Sequence, residues 1–388
     1  MRTCGRQADG PRPDASRMLS PGKLWGLRRM ADSNGLFRMV AVDQRPPIKK
    51  PISTYYGTDT APYDDVARVK TELIEALGPT ASAMLLDPHY AVPRGLRFLS
   101  PDKGLILTLE DSMFRENDGE RLSSEIDAWS VEKIKRMGAD AVKVLAWYRP
   151  DISETVRAEQ RDFVRRTGEA CERYDIPFLF ELLVYPLEGD RDQTRDYREM
   201  AGKRAEHVLA SVEEFAAPDY GVDLFKLEAP VQGEDVPEPN GEGGEEVQGL
   251  FDELGRLANR PWVMLSAGAS QDAFLRVLAH AYRAGASGYL AGRAIWLDAF
   301  AHYPDWTAMR EALQTNSVPY VNRINALTAE QARPWFEHPC YGSPPDIAPP
   351  DGSFRYSYEG FAATERFAPE GTEVGATSSQ HEGVGAEA

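Results

Sequence analysis

Two lysines stand inside apolar runs, each three residues after an aspartate: Lys143 in DAVKVLA and Lys226 in DLFKLEA. An ammonium among apolar side chains carries a large desolvation cost unless it sheds its proton or meets a carboxylate. A second ammonium nearby acts in the same direction as burial. A lysine freed of its proton is a nucleophile that condenses with a carbonyl to form a Schiff base. The competing reading is structural, with each lysine ion-paired inside the fold and Glu181 and Glu228 as the obvious partners. Two such lysines together with a carboxylate favour chemistry. Glu181 lies in FLFELLVY, and apolar neighbours of that kind raise a carboxyl's pKa and suit it to hold or release a proton near neutrality.

The segments carrying these residues belong to a regular alternation. Runs rich in Val, Ile, Leu and Phe occur at 37–43, 81–87, 104–110, 140–146, 177–185, 222–228, 262–268 and 287–292. Most are followed by helical spacing, as in Val66–Val69–Leu73–Leu77 and Phe274–Val277–Leu278–Ala281. Ser130, Glu132–Lys135 and a stop at Gly138 bracket another helix. Continuous apolar strands joined by helices make a parallel sheet with helices outside, and eight of them predict a single (β/α)₈ barrel. A doubly wound open sheet would show a glycine fingerprint after its first strand, whereas here AVDQRPP follows.

A barrel of this kind keeps its active site at the C-terminal strand ends. Those ends hold Asp43, Gln44 and Arg45; Asp87 and His89; Glu110 and Asp111; Lys143; Glu181; Lys226 and Glu228. The seventh run closes with Ser266, Ala267 and Gly268, and the eighth with Gly292 and Arg293. Both are small, glycine-containing turns before a helix, so their backbone N–H groups and the Arg293 guanidinium form an anion site where this fold often binds phosphate. Of six histidines only His89 falls at a strand end, so imidazole-based metal chemistry has little support. Asp43, Asp87, Glu110 and Asp111 are the acids that a magnesium ion would need. The expectation is a reaction without metal or cofactor.

The net charge of −17 argues against nucleic acid or an anionic membrane as the main partner, but not against a small anion held in a local positive pocket. No apolar run approaches the 18 or so residues of a membrane span. No apolar segment follows Arg2 and Arg6 as a secretory leader would require, and Cys4, Cys171 and Cys340 are too scattered for a disulfide frame. A reducing cytoplasm is the simplest home. Residues 1–20 read as a flexible arm, 21–341 as the barrel, and 342–388 as an acidic, largely disordered tail with eight acids against two bases. Phe354, Tyr356, Tyr358 and Phe361 are the tail residues suited to local docking.

Seven segments in register, AVDQR (41–45), ASAMLLDP (81–88), DAVKVLAWY (140–148), FELLVY (180–185), DLFKLEAPV (223–231), LSAG (265–268) and ASGYLAGRAIW (286–296), carry a family resemblance. Over residues 22 to 330 the chain resembles the class I tagatose-bisphosphate aldolases and the closely similar sulfofructosephosphate aldolases. The resemblance implies that Lys226 is the Schiff-base lysine, Lys143 the second lysine and Glu181 the acid/base. It also implies that Asp43 and Gln44 contact substrate, and that Ser266, Gly268, Gly292 and Arg293 bind phosphate. The expected activity is retro-aldol cleavage of a ketose phosphate, with tagatose 1,6-bisphosphate first and a sulfonated ketose phosphate, giving sulfolactaldehyde, as the alternative. A sugar-phosphate sensor with little turnover is the alternative from another class, and a homo-oligomer stays open. The chain departs from the family at Pro46–Lys50 and in loop 232–249, where six acids and no base follow the sixth run.

Overall fold

In the computed structural model the eight apolar runs form parallel strands that close into a barrel. Residues 18–187, 205–341, 345, 347, 352–358 and 360 are described. The barrel strands are β1 (Phe37–Ala41), β2 (Ala83–Leu86), β3 (Gly104–Thr108), β6 (Ala141–Trp147), β7 (Phe178–Leu183), β8 (Leu224–Leu227), β9 (Trp262–Met264) and β10 (Gly288–Ala291). They are ordered β1-β10-β9-β8-β7-β6-β3-β2. A separate antiparallel hairpin, β4 (Arg115–Asn117) with β5 (Glu120–Leu122), is inserted between β3 and β6.

Period-2 alternation divides each strand between two cores. Met39, Ala41, Leu85, Ile106, Ala141, Leu179, Leu224, Val263 and Leu290 fill the barrel interior. The residues between them, such as Val40, Met84, Val142, Phe180 and Phe225, pack outward against the helices. The inward layer is apolar at mid-barrel, and two residues further along the strands it becomes Asp43, Thr108, Lys143, Glu181 and Lys226. The same alternation therefore builds the floor of a site and then the site.

The expected helices form where their spacing placed them, at Tyr63–Leu77, Val131–Arg136 and Gln271–Arg283. The Ser130 side chain accepts the Lys133 N–H as an N-cap, and Gly138 follows with φ 84°. Helix Pro21–Met30 contributes Leu27 and Met30 to the interior cluster, beside Trp335 and Tyr341. Leu19 is buried, and the Ser20 hydroxyl donates to Asp175 at 2.5 Å, so the last residues of the expected arm contact the body.

The acidic loop after β8 is pinned to the outside of helix Gln271–Arg283. Glu234 accepts the Ser270 N–H at 2.6 Å and its hydroxyl at 3.0 Å, Arg276 donates to the Val236 carbonyl, and His280 contacts Pro237 O. Residues 1–17 and most of 342–388, Cys4 and Phe361 among them, lie outside the described residues. Contacts divide the chain into Met1–Pro350 and Asp351–Ala388, and the second unit shows one short helix, Phe354–Ser357. Among the described residues no helix is long and apolar enough to cross a membrane.

Lys70, wholly buried in helix Tyr63–Leu77, ties the ends of β1 and β2 together. Its ammonium donates to the Val42 carbonyl at 2.6 Å and to Asp87 at 2.5 Å, while the other Asp87 oxygen accepts the His89 and Tyr90 N–H groups. Removing one partner of a buried pair leaves a charge without compensation, at a cost of about 3–5 kcal/mol. Asp87→Ala should therefore lower the chemical-denaturation midpoint by that equivalent, and Lys70→Met in the same chain should recover part of the loss.

Candidate active site

The C-terminal mouth of the barrel gathers three carboxylates around one ammonium. Lys143 Nζ lies 2.5 Å from Glu110 Oε1, 2.8 Å from Glu181 Oε2 and 3.1 Å from Asp43 Oδ2. Lys226 Nζ lies 2.8 Å from Glu181 Oε1. All five side chains are buried.

Sheet register explains these contacts. Glu181 and Lys226 are paired positions on β7 and β8, so their side chains leave the sheet side by side. Lys143 is level with Leu179, two residues below Glu181, and its four-carbon stem spans the difference. The aspartates three residues before each lysine face the other end of the barrel, where Asp140 accepts the Leu105 N–H and Asp223 the Phe178 N–H. Glu228 is not an ion-pair partner of either lysine, since its Oε1 accepts the Val184 N–H at 2.9 Å.

Closure of the barrel sets the protonation of these groups. Burial would raise Asp43, but the charges of Lys143, Lys226 and Arg45 outweigh it and hold the carboxyl down at about 2. The sequence predicts a raised Glu181, and the structure reverses this. Burial does act upward, yet Lys143 and Lys226 at 2.8 Å on either oxygen bring it below the ordinary value. Glu110, equally buried, is raised because desolvation outweighs the pull of Lys143 and Arg45. Two carboxylates in one cluster are thus displaced in opposite directions.

Above the cluster Asp43, Gln44, Glu181, Lys226, Ser266, Ala267, Gly292 and Arg293 line a small pocket. Asp43 Oδ1 and Gln44 Oε1 are buried and have no hydrogen-bond partner among the described residues, in side chains that line the pocket. Ala267 and Gly268 both take left-handed conformations, φ 48° and 77°, in a turn closed by the Ala269 N–H on Ser266 O. Their own N–H groups have no acceptor among the described residues. Gly268 does not line the pocket but packs behind it, where an added Cβ would stand 3.5 Å from the Arg293 guanidinium carbon. Glu234 already occupies the N-terminus of helix Gln271–Arg283, so an anion here would meet the turn and Arg293 rather than that helix. Lys143 also lies beneath the pocket rather than in its wall.

Glu110 and Arg45 also join the cluster; from sequence Glu110 stands at a strand end only as an acid for a magnesium ion, and Arg45 stands there without a role. Alternation through Ile106 and Thr108 pointed Glu110 inward; its Oε2 accepts the Thr108 hydroxyl at 2.6 Å. Arg45 is buried and donates to the Glu110 carbonyl at 3.1 Å. The acids named for magnesium do not converge, because Asp43 and Glu110 meet Lys143 while Asp87 meets Lys70. Among the described residues no three His, Cys, Asp or Glu side chains are placed to hold a metal ion. A larger cavity opens at the opposite end of the barrel, but its Lys23 is bound by Glu172 and Asp223.

Known proteins agree with this architecture. The chain is 32% identical over 338 residues to a tagatose 1,6-diphosphate aldolase of Listeria monocytogenes, covering 85% of this chain and 97% of that one. It is 30% identical over 326 residues to the enzyme of the same name from Lactococcus lactis, covering 82% and 98%. Two solved structures share the fold. An archaeal fructose 1,6-bisphosphate aldolase has a TM-score of 0.51 at 17% identity, covering 79% of this chain and 98% of its own. The fructose-bisphosphate aldolase of Plasmodium falciparum has a TM-score of 0.57 at 12% identity, covering 79% and 94%. Residues 37–298 match the family model described as DeoC/LacD family aldolase, and the chain belongs to that family.

Proposed function

We propose that the protein is a class I aldolase that cleaves tagatose 1,6-bisphosphate to dihydroxyacetone phosphate and glyceraldehyde 3-phosphate. The observation that carries this reading is Lys226, buried in a pocket wall with Glu181 2.8 Å from its nitrogen and with Ser266, Gly292 and Arg293 lining the same pocket. The name carried by the relatives supports tagatose 1,6-bisphosphate over the sulfonated ketose phosphate.

In this reading the turn at Ser266–Gly268 and the Gly292–Arg293 segment hold the C1 phosphate, which fixes the ketone carbon against Lys226. Glu181 takes a proton from the Lys226 ammonium, and the free amine adds to the C2 carbonyl. The attacking nitrogen gives up a second proton to the carbinolamine oxygen and Glu181 returns the first, so the oxygen leaves as water and an iminium remains. Loss of the C4 hydroxyl proton to Glu181 drives the C3–C4 electron pair into the iminium, and the aldehyde departs. The resulting enamine is protonated at C3, and water hydrolyses the iminium to release dihydroxyacetone phosphate and regenerate Lys226. Asp43 and Gln44 hold the sugar hydroxyls through their unpartnered oxygens. No step calls for a metal or cofactor.

Borohydride reduction in the presence of dihydroxyacetone phosphate and EDTA should leave a stable adduct on Lys226, read by peptide mass spectrometry, and Lys226→Met should leave none. Folded wild-type protein without an adduct on any lysine would overturn the Schiff-base route. Glu181→Gln keeps the shape of the side chain but cannot take a proton, and should lower kcat by about 10²–10⁴-fold in a steady-state cleavage assay.

A further inference from the structure

The geometry of Glu181 poses a difficulty that the proposed reaction must resolve. A carboxylate held between two ammoniums is a poor proton acceptor, because each positive charge favours its ionised form. Among the described residues, however, the carboxylate nearest to Lys143 is not Glu181 but Glu110, at 2.5 Å against 2.8 Å. The buried groups therefore run in a chain from Glu110 through Lys143 and Glu181 to Lys226. Glu110 is absent from the pocket wall, so it is placed to act on the chain rather than on a ligand.

We propose, resting on the reading of the site above, that Glu110 is a positioning residue that neutralises the Lys143 ammonium and so sets how readily Glu181 accepts a proton. With Glu110 ionised, the Lys143 charge is offset on the side away from Glu181, and Glu181 can take and return the protons of the Lys226 reaction. With Glu110 neutral, the Lys143 charge bears more fully on Glu181, and proton transfer slows. Among the described residues the groups that face Glu110 are few. Thr108 donates to Oε2, Lys143 from β6 meets Oε1, Arg45 reaches the Glu110 carbonyl from the end of β1, and Asp43 approaches Lys143 from the same segment. Asp43 repels the ionised form of Glu110, whereas Lys143 and Arg45 favour it. Burial dominates and leaves Glu110 raised, so it gains its proton before Asp43 or Glu181 as pH falls. Glu110 then governs the acid limb of turnover.

Glu110→Gln mimics the protonated carboxyl at every pH. Its kcat plateau should fall by about tenfold, less than the ~10²–10⁴-fold expected when the acid/base itself is lost. KM should stay within about twofold, because the side chain lies outside the pocket. The decisive readout is the pH profile of kcat: the wild-type acid limb should disappear in Glu110→Gln, and Glu110→Asp should restore part of both plateau and limb. A variant with the wild-type kcat, or a lowered kcat with an unchanged acid limb, would overturn the proposal and leave Glu110 a structural group. Borohydride trapping of the wild-type protein with dihydroxyacetone phosphate separates the two readings. If Lys226 forms the adduct while the limb persists in Glu110→Gln, only this inference fails; if Lys226 forms none, the aldolase reading fails.

Discussion

The charge on Lys143 is the constraint around which the mouth of the barrel is arranged. A buried ammonium is tolerated only where its charge and its N–H groups are met. Lys143 meets that requirement with carboxylates from the end of β1, the end of β3 and the middle of β7, while it sits itself on β6. Four parts of the barrel wall are thereby bound to one atom. Three acids around a single lysine would leave a net negative charge in a place closed to water. Lys226 on Glu181 and Arg45 beside Glu110 bring the cluster back to balance. The group that the proposed chemistry uses, Lys226, is part of what makes the arrangement of the others affordable.

The position of the cluster follows from strand alternation applied above an apolar plug. Ala141, Leu179 and Leu224 close the interior from below, and the next inward residues on the same strands are Lys143, Glu181 and Lys226. Apolar packing beneath fixes the rotamers that can reach the cluster, because a stem anchored between neighbours has little freedom to swing. Facing this rigid floor is a turn of a different character. Ala267 holds a left-handed conformation that costs a non-glycine residue on the order of 1–3 kcal/mol, and its N–H and that of Gly268 have no acceptor among the described residues. Strain stored at a pocket rim suits recognition of a ligand.

The strands could be read from the sequence because a parallel strand buried on both faces leaves a continuous apolar run, and all eight did so. The hairpin β4–β5 could not, since Arg115–Asn117 and Glu120–Leu122 are short and mostly polar and leave no alternation to detect. The residues of the site were legible for the same reason as the strands: a lysine or glutamate interrupting an apolar run stands out. Their partnerships were not. Asp43 meets Lys143 across 100 positions of sequence, a contact that only barrel closure creates. This explains the reversed sign at Glu181. A window of sequence around FLFELLVY contains its apolar neighbours but neither lysine, so local reasoning captures desolvation and misses the two charges that outweigh it. Glu228, two residues from Lys226 in sequence, was the opposite error, a neighbour along the strand that turns instead to the β7 backbone.

Local compensation also settles how a chain of net charge −17 can present a site to a doubly anionic sugar. Exposed charges are screened over about 8–10 Å of salt solution, whereas charges inside a low-dielectric mouth act on one another and on the ligand with little screening. The acids of loop 232–249 belong to the first group. Glu234, on the surface, is held by Ser270, and the neighbouring loop backbone is tied to Arg276 and Arg283 on the outer helix. Asp43, Glu110 and Glu181 belong to the second, and each is matched there by Lys143, Lys226 or Arg45. The field inside the pocket is therefore set at short range, by these matched pairs and by the Arg293 guanidinium in the pocket wall. Overall acidity and affinity for an anion are compatible because they are decided at different distances.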